Sequence, residues 1–469
     1  MTLRNTNHID SDSNKPQSKK FITYIIIVAV VIICFTIYKR NNPNDKPFTP
    51  KSSKDTTIFI ATDVHNFSDK LTDKKDAYQR YISSGNGKQI EYIDEIIDAF
   101  AYDIKRKNPD VLIISGDLTN NGEKDSHLDL AKKLEVIEKS GTNVYVIPGN
   151  HDISNPWARE LRDKKQYIAE TIDENEFSKI YASFGFDEAI SRDDKTLSYL
   201  VTPTTDVWFL MLDTNKYKNN MNLGIPETNG ILAKSTLEWI DRCCDMANEK
   251  GAKIITVMHH NILNHSEVIQ EGYTLDNSGQ LLGLLKENQI NLVFSGHIHV
   301  QDISSDKKGE KSLYDVASGA LSVYPHQYGV LTFTENDIAN YSTSKVDVEA
   351  WAKKKNIKDK NLRNFSTYSE EYFTSFSNKK TSERLLVESE YSSDELKEMI
   401  DIMKLLNVRY FSGTENLNAK DVIGTKGYQL WYESPDSFLK SYIFSIMSDE
   451  DVDDNNLNIT INPVLKIKN

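Results

Sequence analysis

The chain has 469 residues, 39% hydrophobic and 27% charged, a balance that excludes both a multi-spanning membrane protein and a disordered chain. Acidic residues outnumber basic ones, 69 to 56, for a net charge of −13; a surface of that sign repels a phosphate backbone and argues against a nucleic-acid polymer as partner. The three cysteines, Cys34 and the adjacent Cys243 and Cys244, provide no disulfide framework, because neighbouring cysteines do not bridge without strain.

Residues 1–20 form a polar tail. Residues 21–38 are uncharged and nearly all Ile, Val, Phe and Tyr, with Lys19 and Lys20 before them and Lys39 and Arg40 after. That length suits one transmembrane helix. No small-residue cleavage site follows, which predicts a retained anchor in contact with a lipid bilayer rather than a cleaved signal. Four Lys/Arg in residues 1–20 face five in residues 39–58, so the positive-inside rule chooses no orientation. Residues 39–55, rich in Lys, Asn, Pro, Asp and Ser, read as a flexible linker.

Folded structure is expected over residues 56–340. Apolar runs at 57–61, 111–114, 144–147, 207–212, 254–258 and 292–294 predict buried strands. Between the first two, Ile90, Ile93, Ile97, Ala101 and Ile104 recur at helical spacing, and residues 128–137 behave similarly before the third. Alternating strands and helices predict a layered α/β domain. Beyond Phe333 strand-like runs thin out, and residues 393–406 and 435–447 read as amphipathic helices. A smaller, mainly helical accessory domain is therefore expected over 341–469; it contains no histidine and is not expected to supply metal ligands.

Six of the ten histidines fall in four short segments, each just after an apolar run. Asp63-Val64-His65, Gly116-Asp117, Gly149-Asn150-His151-Asp152, His259-His260 and Gly296-His297-Ile298-His299 all occupy such positions. Loops at the carboxyl ends of strands in an α/β sheet converge on one crevice, so these residues can meet. Carboxylate, amide and imidazole groups without thiolate suit two divalent ions of the Mn, Fe or Zn type. The Asp-x-His and His-x-His spacings are expected to put both members of a pair on one side of an extended segment. Taken singly, Asp63, Asp117 or Asn150 is better explained by turn chemistry at a strand end; the five motifs together are not.

The order of these motifs, with the fuller strings Ser115-Gly116-Asp117-Leu118-Thr119 and Pro148-Gly149-Asn150-His151-Asp152, resembles the calcineurin-like metallophosphoesterase superfamily over residues 57–335. Within it the chain is most similar to the bacterial cyclic-nucleotide phosphodiesterase group with an added C-terminal domain. The resemblance implies a layered β-sandwich flanked by helices and two divalent metal ions. Asp63, His65 and His299 would bind the first ion, Asp117 would bridge, and Asn150, His259 and His297 would bind the second. Asn261 stands where the family carries proline after the histidine pair, and that register favours His259 over His260 as ligand. The resemblance also implies that His151 faces the substrate, where it protonates or hydrogen-bonds the leaving oxygen, with Asp152 orienting it. A metal-bridging hydroxide would attack a small phosphate diester in line, cyclic nucleotides foremost.

Two other readings use the same residues: a phosphomonoesterase or nucleotidase on the same metal centre, and a tethered envelope scaffold with a vestigial site. Many similar bacterial proteins are exported, which together with the anchor implies a single-pass protein of the cell membrane with its catalytic domain outside the cytoplasm. His8 in the tail, His127 at a helix start and His265 on a polar loop are expected to have no function. Asp213 reads as a second-sphere group or a cap, and His326 and Tyr328 as loop packing.

Overall fold

In the computed structural model, residues 50–465 are described apart from 86, 307–311, 389–390, 416–418 and 449–452. The tail, the apolar run 21–38 and almost all of the linker lie outside the described residues. Among the described residues no helix is long and apolar enough to cross a membrane.

The strands are, in chain order, β1 (Ile58–Ala61), β2 (Val111–Ser115), β3 (Asn143–Ile147), β4 (Arg159–Arg162), β5 (Lys165–Ile168), β6 (Ser191–Arg192), β7 (Tyr199–Val201) and β8 (Val207–Leu212). They continue as β9 (Lys253–Met258), β10 (Leu292–Ser295), β11 (Asp302–Asp306), β12 (Leu313–Ala317), β13 (Gln327–Phe333), β14 (Ile338–Lys345) and β15 (Asn456–Thr460). One mixed sheet has the order β15-β14-β13-β1-β2-β3, a second the order β11-β12-β10-β9-β8-β7-β6, and β4-β5 form a separate hairpin. β1, β2 and β3 are parallel, as are β8, β9, β10 and β12.

The two-residue period of a strand divides the apolar side chains between layers. In β8, Val207, Phe209 and Met211 join the cluster that includes Ile58 and Ile60 of the first sheet, while Trp208, Leu210 and Leu212 face the helices Lys234–Lys250 and Ser278–Glu287. The centre of the second sheet is thus buried on both faces, which is why β8, β9 and β10 read as apolar runs. The first sheet is covered by the helix Ile93–Lys107, which turns Ile93, Ile96, Ile97, Phe100 and Ile104 inward. That helix ends where Asn108 enters the left-handed region at φ 51°, a conformation asparagine tolerates better than most residues.

The C-terminal region is helical, as the periodicity predicts. A capping box of Ser392 and Glu395 starts the helix Ser393–Ser412, each side chain satisfying an amide the first turn leaves free. Met399, Leu406, Trp431 and Ile443 from these helices cluster with Ile298, Val300 and Ala317, so the C-terminal region packs beneath the segment that carries His297 and His299. Its division from the rest is less simple than a boundary near residue 340. That position falls inside β14, and β15, from near the end of the chain, pairs with β14 at the edge of the first sheet. Residues Lys51–Asn469 form one compact unit. Past Phe333, strands persist that composition hides: β14 buries only Ala339 and Tyr341 among polar neighbours, as a half-exposed strand does.

Candidate metal centre

Every sequence-predicted ligand lies in a loop just past the carboxyl end of a parallel strand: Asp63 and His65 after β1, Asp117 after β2, Asn150 after β3, His259 after β9, and His297 and His299 after β10. Two sheets therefore contribute to one site. The paired motifs do not use an extended segment, as their spacing suggests. Asp63, His65, Asp117, His297 and His299 all have positive φ, at 51°, 48°, 47°, 70° and 66°. Non-glycine residues in that region are uncommon and cost free energy, and they concentrate where function requires a particular side-chain direction. Each loop turns back on itself and aims both members of a pair inward. Close packing also fixes one glycine: Gly116 has φ 100°, and a Cβ there would lie 2.5 Å from Nδ1 of His259.

The side chains converge in two overlapping groups. Ligand atoms of Asp63, His65, Asp117 and His299 lie within 4.8 Å of one another, and Asp117, His259 and His297 form a second such group. In the first, Nε2 of His65 is 3.2 Å from Nε2 of His299 and 3.6 Å from Oδ2 of Asp117. In the second, Nε2 of His259 is 3.5 Å from Oδ1 of Asp117 and 3.2 Å from Oδ1 of Asn150. Asp117 thus presents one oxygen to each group. Burial would raise its carboxyl pKa, but His259, His151 and His65 outweigh burial and hold it well below the usual range.

The donor set fits divalent metal ions. A 3.2 Å gap between two imidazole nitrogens suits ligands each roughly 2.0–2.1 Å from one cation. Oδ1 of Asp63 is buried without a hydrogen bond of good geometry, although Nε2 of His299 is 3.2 Å away. The outer partners set the tautomers. His259 donates from Nδ1 to the Ser115 carbonyl at 2.9 Å, which leaves Nε2 as the ligand atom. His297 donates from Nε2 to the Gly272 carbonyl at 2.8 Å, which leaves Nδ1. Such second contacts hold metal-binding imidazoles in orientation. His260 takes no part: its nitrogens are engaged by Thr214 Oγ1 at 2.7 Å and the Thr228 carbonyl at 2.8 Å. Asn261, the departure from proline, has a structural use. Its amide donates to Ser295 Oγ at 2.8 Å and to the Gly296 carbonyl at 3.1 Å, tying the His259 loop to the His297 loop.

His151 sits at the rim of the pair. Its backbone N–H donates to Oδ1 of Asp117 at 2.9 Å, its Nδ1–H donates to the Asn120 carbonyl at 2.7 Å, and Nε2 lies 4.0 Å from Oδ2 of Asp117. Burial pushes the ring down to about 4, against the pull of Asp117. Asp152 does not orient this ring, contrary to the role the resemblance implies. Its carboxylate accepts the backbone N–H groups of Leu118, Thr119 and Gly149 at 3.0, 2.8 and 2.8 Å, so it fixes the loops that carry Asp117 and Asn150. The orientation of His151 comes instead from Asn120 and from Asn121, whose Oδ1 is 3.1 Å from Nδ1.

The remaining histidines among the described residues are structural. His127 is buried between the Tyr181 hydroxyl and the Asp152 carbonyl, each at 2.9 Å. His326 bonds to the Leu321 carbonyl and Ser369 Oγ, and Tyr328 packs on Phe59 and Phe100. Asp213 receives the N–H of Leu197 and Asn215 and the Tyr217 hydroxyl. His265 is not on a polar loop surface but buried, its ring between Asp302 and Asp315. Sequence reading also missed Asn120, Asn121 and Lys88 near the site. The first two directly follow the Ser115–Thr119 string, a usable signal; Lys88 has none.

Residues 56–301 match the calcineurin-like phosphoesterase family, and residues 347–453 match the C-terminal domain of cyclic nucleotide phosphodiesterase. A probable cyclic nucleotide phosphodiesterase of Coxiella burnetii is 26% identical over 191 residues, covering 40% of this chain and 60% of the relative. One of Vesicomyosocius okutanii is 24% identical over 197 residues, covering 42% of this chain and 65% of the relative. The crystal structure of a dimetal phosphatase from Danio rerio matches with a TM-score of 0.43 at 12% identity, over 61% of this chain and 95% of that chain. Since the family match spans more than half of the sequence, from the strand before Asp63 to just past His299, the chain belongs to the calcineurin-like phosphoesterases.

Proposed function

We propose that this chain is a metal-dependent phosphodiesterase that hydrolyses small phosphate diesters, cyclic nucleotides foremost, and is tethered to a membrane through residues 21–38. The observation that carries the reading is the sharing of Asp117 between two ligand groups, buried except for the partly exposed His299, the arrangement required by two adjacent divalent ions. The names of the two relatives and the match of residues 347–453 give the diester and cyclic-nucleotide direction. By donor type the ions are Mn, Fe or Zn; when bound, they lower the pKa of a water and neutralise charge on a phosphoryl group.

The chain's own residues supply positioning and proton transfer. Asp63, His65 and His299 form one ligand set, Asn150, His259 and His297 the other, and Asp117 serves both. His151, with Nδ1–H committed to Asn120, has Nε2 left to face substrate. An anionic phosphate beside that nitrogen favours its protonation, and the proton can then pass to the leaving oxygen. The membrane anchor rests on the charge-free run 21–38, with the catalytic part outside the cytoplasm.

The test is metal content and Mn²⁺-dependent hydrolysis by the full chain in detergent, with bis- and mono-(p-nitrophenyl) phosphate and cyclic nucleotides compared. Two ions per chain and a preference for diesters are expected. A preference for the monoester would convert the reading to a phosphatase or nucleotidase. Protease treatment of intact cells should digest the globular part; complete resistance would place it inside.

A further inference from the structure

Lys88 is a half-buried lysine whose ammonium makes neither a hydrogen bond nor an ion pair among the described residues. Its position is fixed by backbone. Lys88 forms a β-bridge with Val323, and the next residue, Gln89, donates its N–H to the Ser322 carbonyl at 2.8 Å. Ser322 in turn donates from N and Oγ to the Asp63 carbonyl, at 3.2 and 2.8 Å. One residue therefore separates the Lys88 segment from the first ligand loop.

From the other side the segment is held by the C-terminal helix Phe365–Glu388. The Tyr372 hydroxyl donates to the carbonyls of Ile82 and Lys88, at 3.1 and 3.4 Å, and Phe373 lies against Gly87. Asp117, Glu123 and Asp63 lie within electrostatic reach of its charge. Burial lowers its own pKa. A lysine that braces the fold is commonly paired with a carboxylate. Lys88 makes no such pair among the described residues, although these three carboxylates lie within reach of its charge.

We infer that Lys88 is a substrate-binding residue whose ammonium takes a non-bridging phosphoryl oxygen of the ester, and that the C-terminal helix holds it in place through Tyr372. The inference rests on the reading of the site as a phosphoesterase centre. The ligand chemistry is a phosphoryl anion adjoining the metal pair, reached by a cation that is not a metal ligand. A charged donor on an anionic oxygen is worth roughly tenfold to a hundredfold in affinity.

The experiment uses the full chain in detergent, loaded with Mn²⁺, and measures inorganic phosphate binding by calorimetry beside diester kinetics. Lys88→Met should weaken phosphate binding and raise KM by roughly tenfold or more, with metal content unchanged, and Lys88→Arg should restore most of the loss. Tyr372→Phe should raise KM roughly twofold to tenfold with little change in kcat; an unchanged KM overturns the role of the helix. A measurement on the unaltered protein covers misfolding of a variant: phosphate should slow reductive methylation of Lys88 but not of the exposed Lys218. Wild type that binds phosphate and cleaves the diester, with Lys88→Met indistinguishable from it or Lys88 unprotected, overturns the inference alone. Wild type that does neither overturns the phosphoesterase reading as well.

Discussion

Two buried clusters of histidine and aspartate lie close together in this molecule, and they are built for opposite ends. Around His265, the imidazole lies between Asp302 and Asp315, with Nε2 at 3.1 Å from Oδ2 of Asp315. Asp315 also accepts the N–H groups of Ile262 and Leu263, at 2.7 and 3.0 Å, and the Ser295 hydroxyl at 2.8 Å. At the metal centre, imidazole nitrogens face one another, a carboxylate oxygen of Asp63 lacks an aligned donor, and five residues are in left-handed conformations. Composition does not distinguish the two, and neither does a single unaligned atom, since Nε2 of His265 shares that with Oδ1 of Asp63; the arrangement does. One imidazole set between two carboxylates, one of which also takes backbone donors, is a strut, whereas several imidazoles and carboxylates turned toward one point are arranged for a ligand. The strut also serves the site, because Asp315 joins β12 to the residues just after Asn261 and to Ser295 just before Gly296.

That contrast can be broken most directly at Asp117. Asp117→Asn should reduce Mn²⁺-dependent diesterase activity by roughly a thousandfold or more, with a smaller cost to the stability of the metal-free protein, which loses a carboxylate that the surrounding histidines favour in its ionised form. Melting curves and metal analysis check this; a large loss of metal-free stability would make Asp117 a strut as well.

His265→Gln should do the reverse, costing about 3–5 kcal/mol of stability because two carboxylates lose their shared cation, with metal content and kcat per folded molecule preserved. The pH dependence has a defined sign. Burial opposes the charged ring, but Asp315 and Asp302 lift it to about 10 in the folded protein, above the unfolded value of about 6.5. The stabilisation is complete below pH about 6.5 and is lost as pH rises towards about 10. Denaturant titrations of wild type and His265→Gln should converge across that window; a difference that grows with pH would refute the assignment.

Asn261→Ala tests whether the loops are cross-linked by the amide that replaces proline. Metal affinity should fall by roughly 10–100-fold, as for other outer partners of ligands, while stability changes little. The smallest effect is expected at Asp152. Asp152→Asn should cost about 1 kcal/mol of stability through the weakened acceptance of three backbone amides. Were Asp152 to orient His151 instead, activity would fall with stability unchanged.

Much of this was open to reading without coordinates. Strands buried on both faces, such as β2, β8 and β9, appear as apolar runs because every side chain in them meets another layer. The ligand types stand in short motifs directly after those runs, so the identity of Asp63, His65, Asp117, Asn150, His259, His297 and His299 as one candidate set was legible. The half-exposed strands β14 and β15 were not, because their apolar residues alternate with polar ones and supply few contacts each.

What only the tertiary structure decided are matters of direction and distance. The ligand pairs converge through left-handed turns and not along an extended segment, because the loops must reverse to face a centre shared by two sheets. Asp152 holds loops rather than His151, since three backbone amides reach its carboxylate first. The Lys88 segment lies beside the first ligand loop only because Ser322 and a helix nearly 300 residues further along the chain hold it there. Local sequence specifies which groups are present and which strand each follows; the packing of distant segments specifies which atoms are left without partners, and the chemistry of the site depends on those atoms.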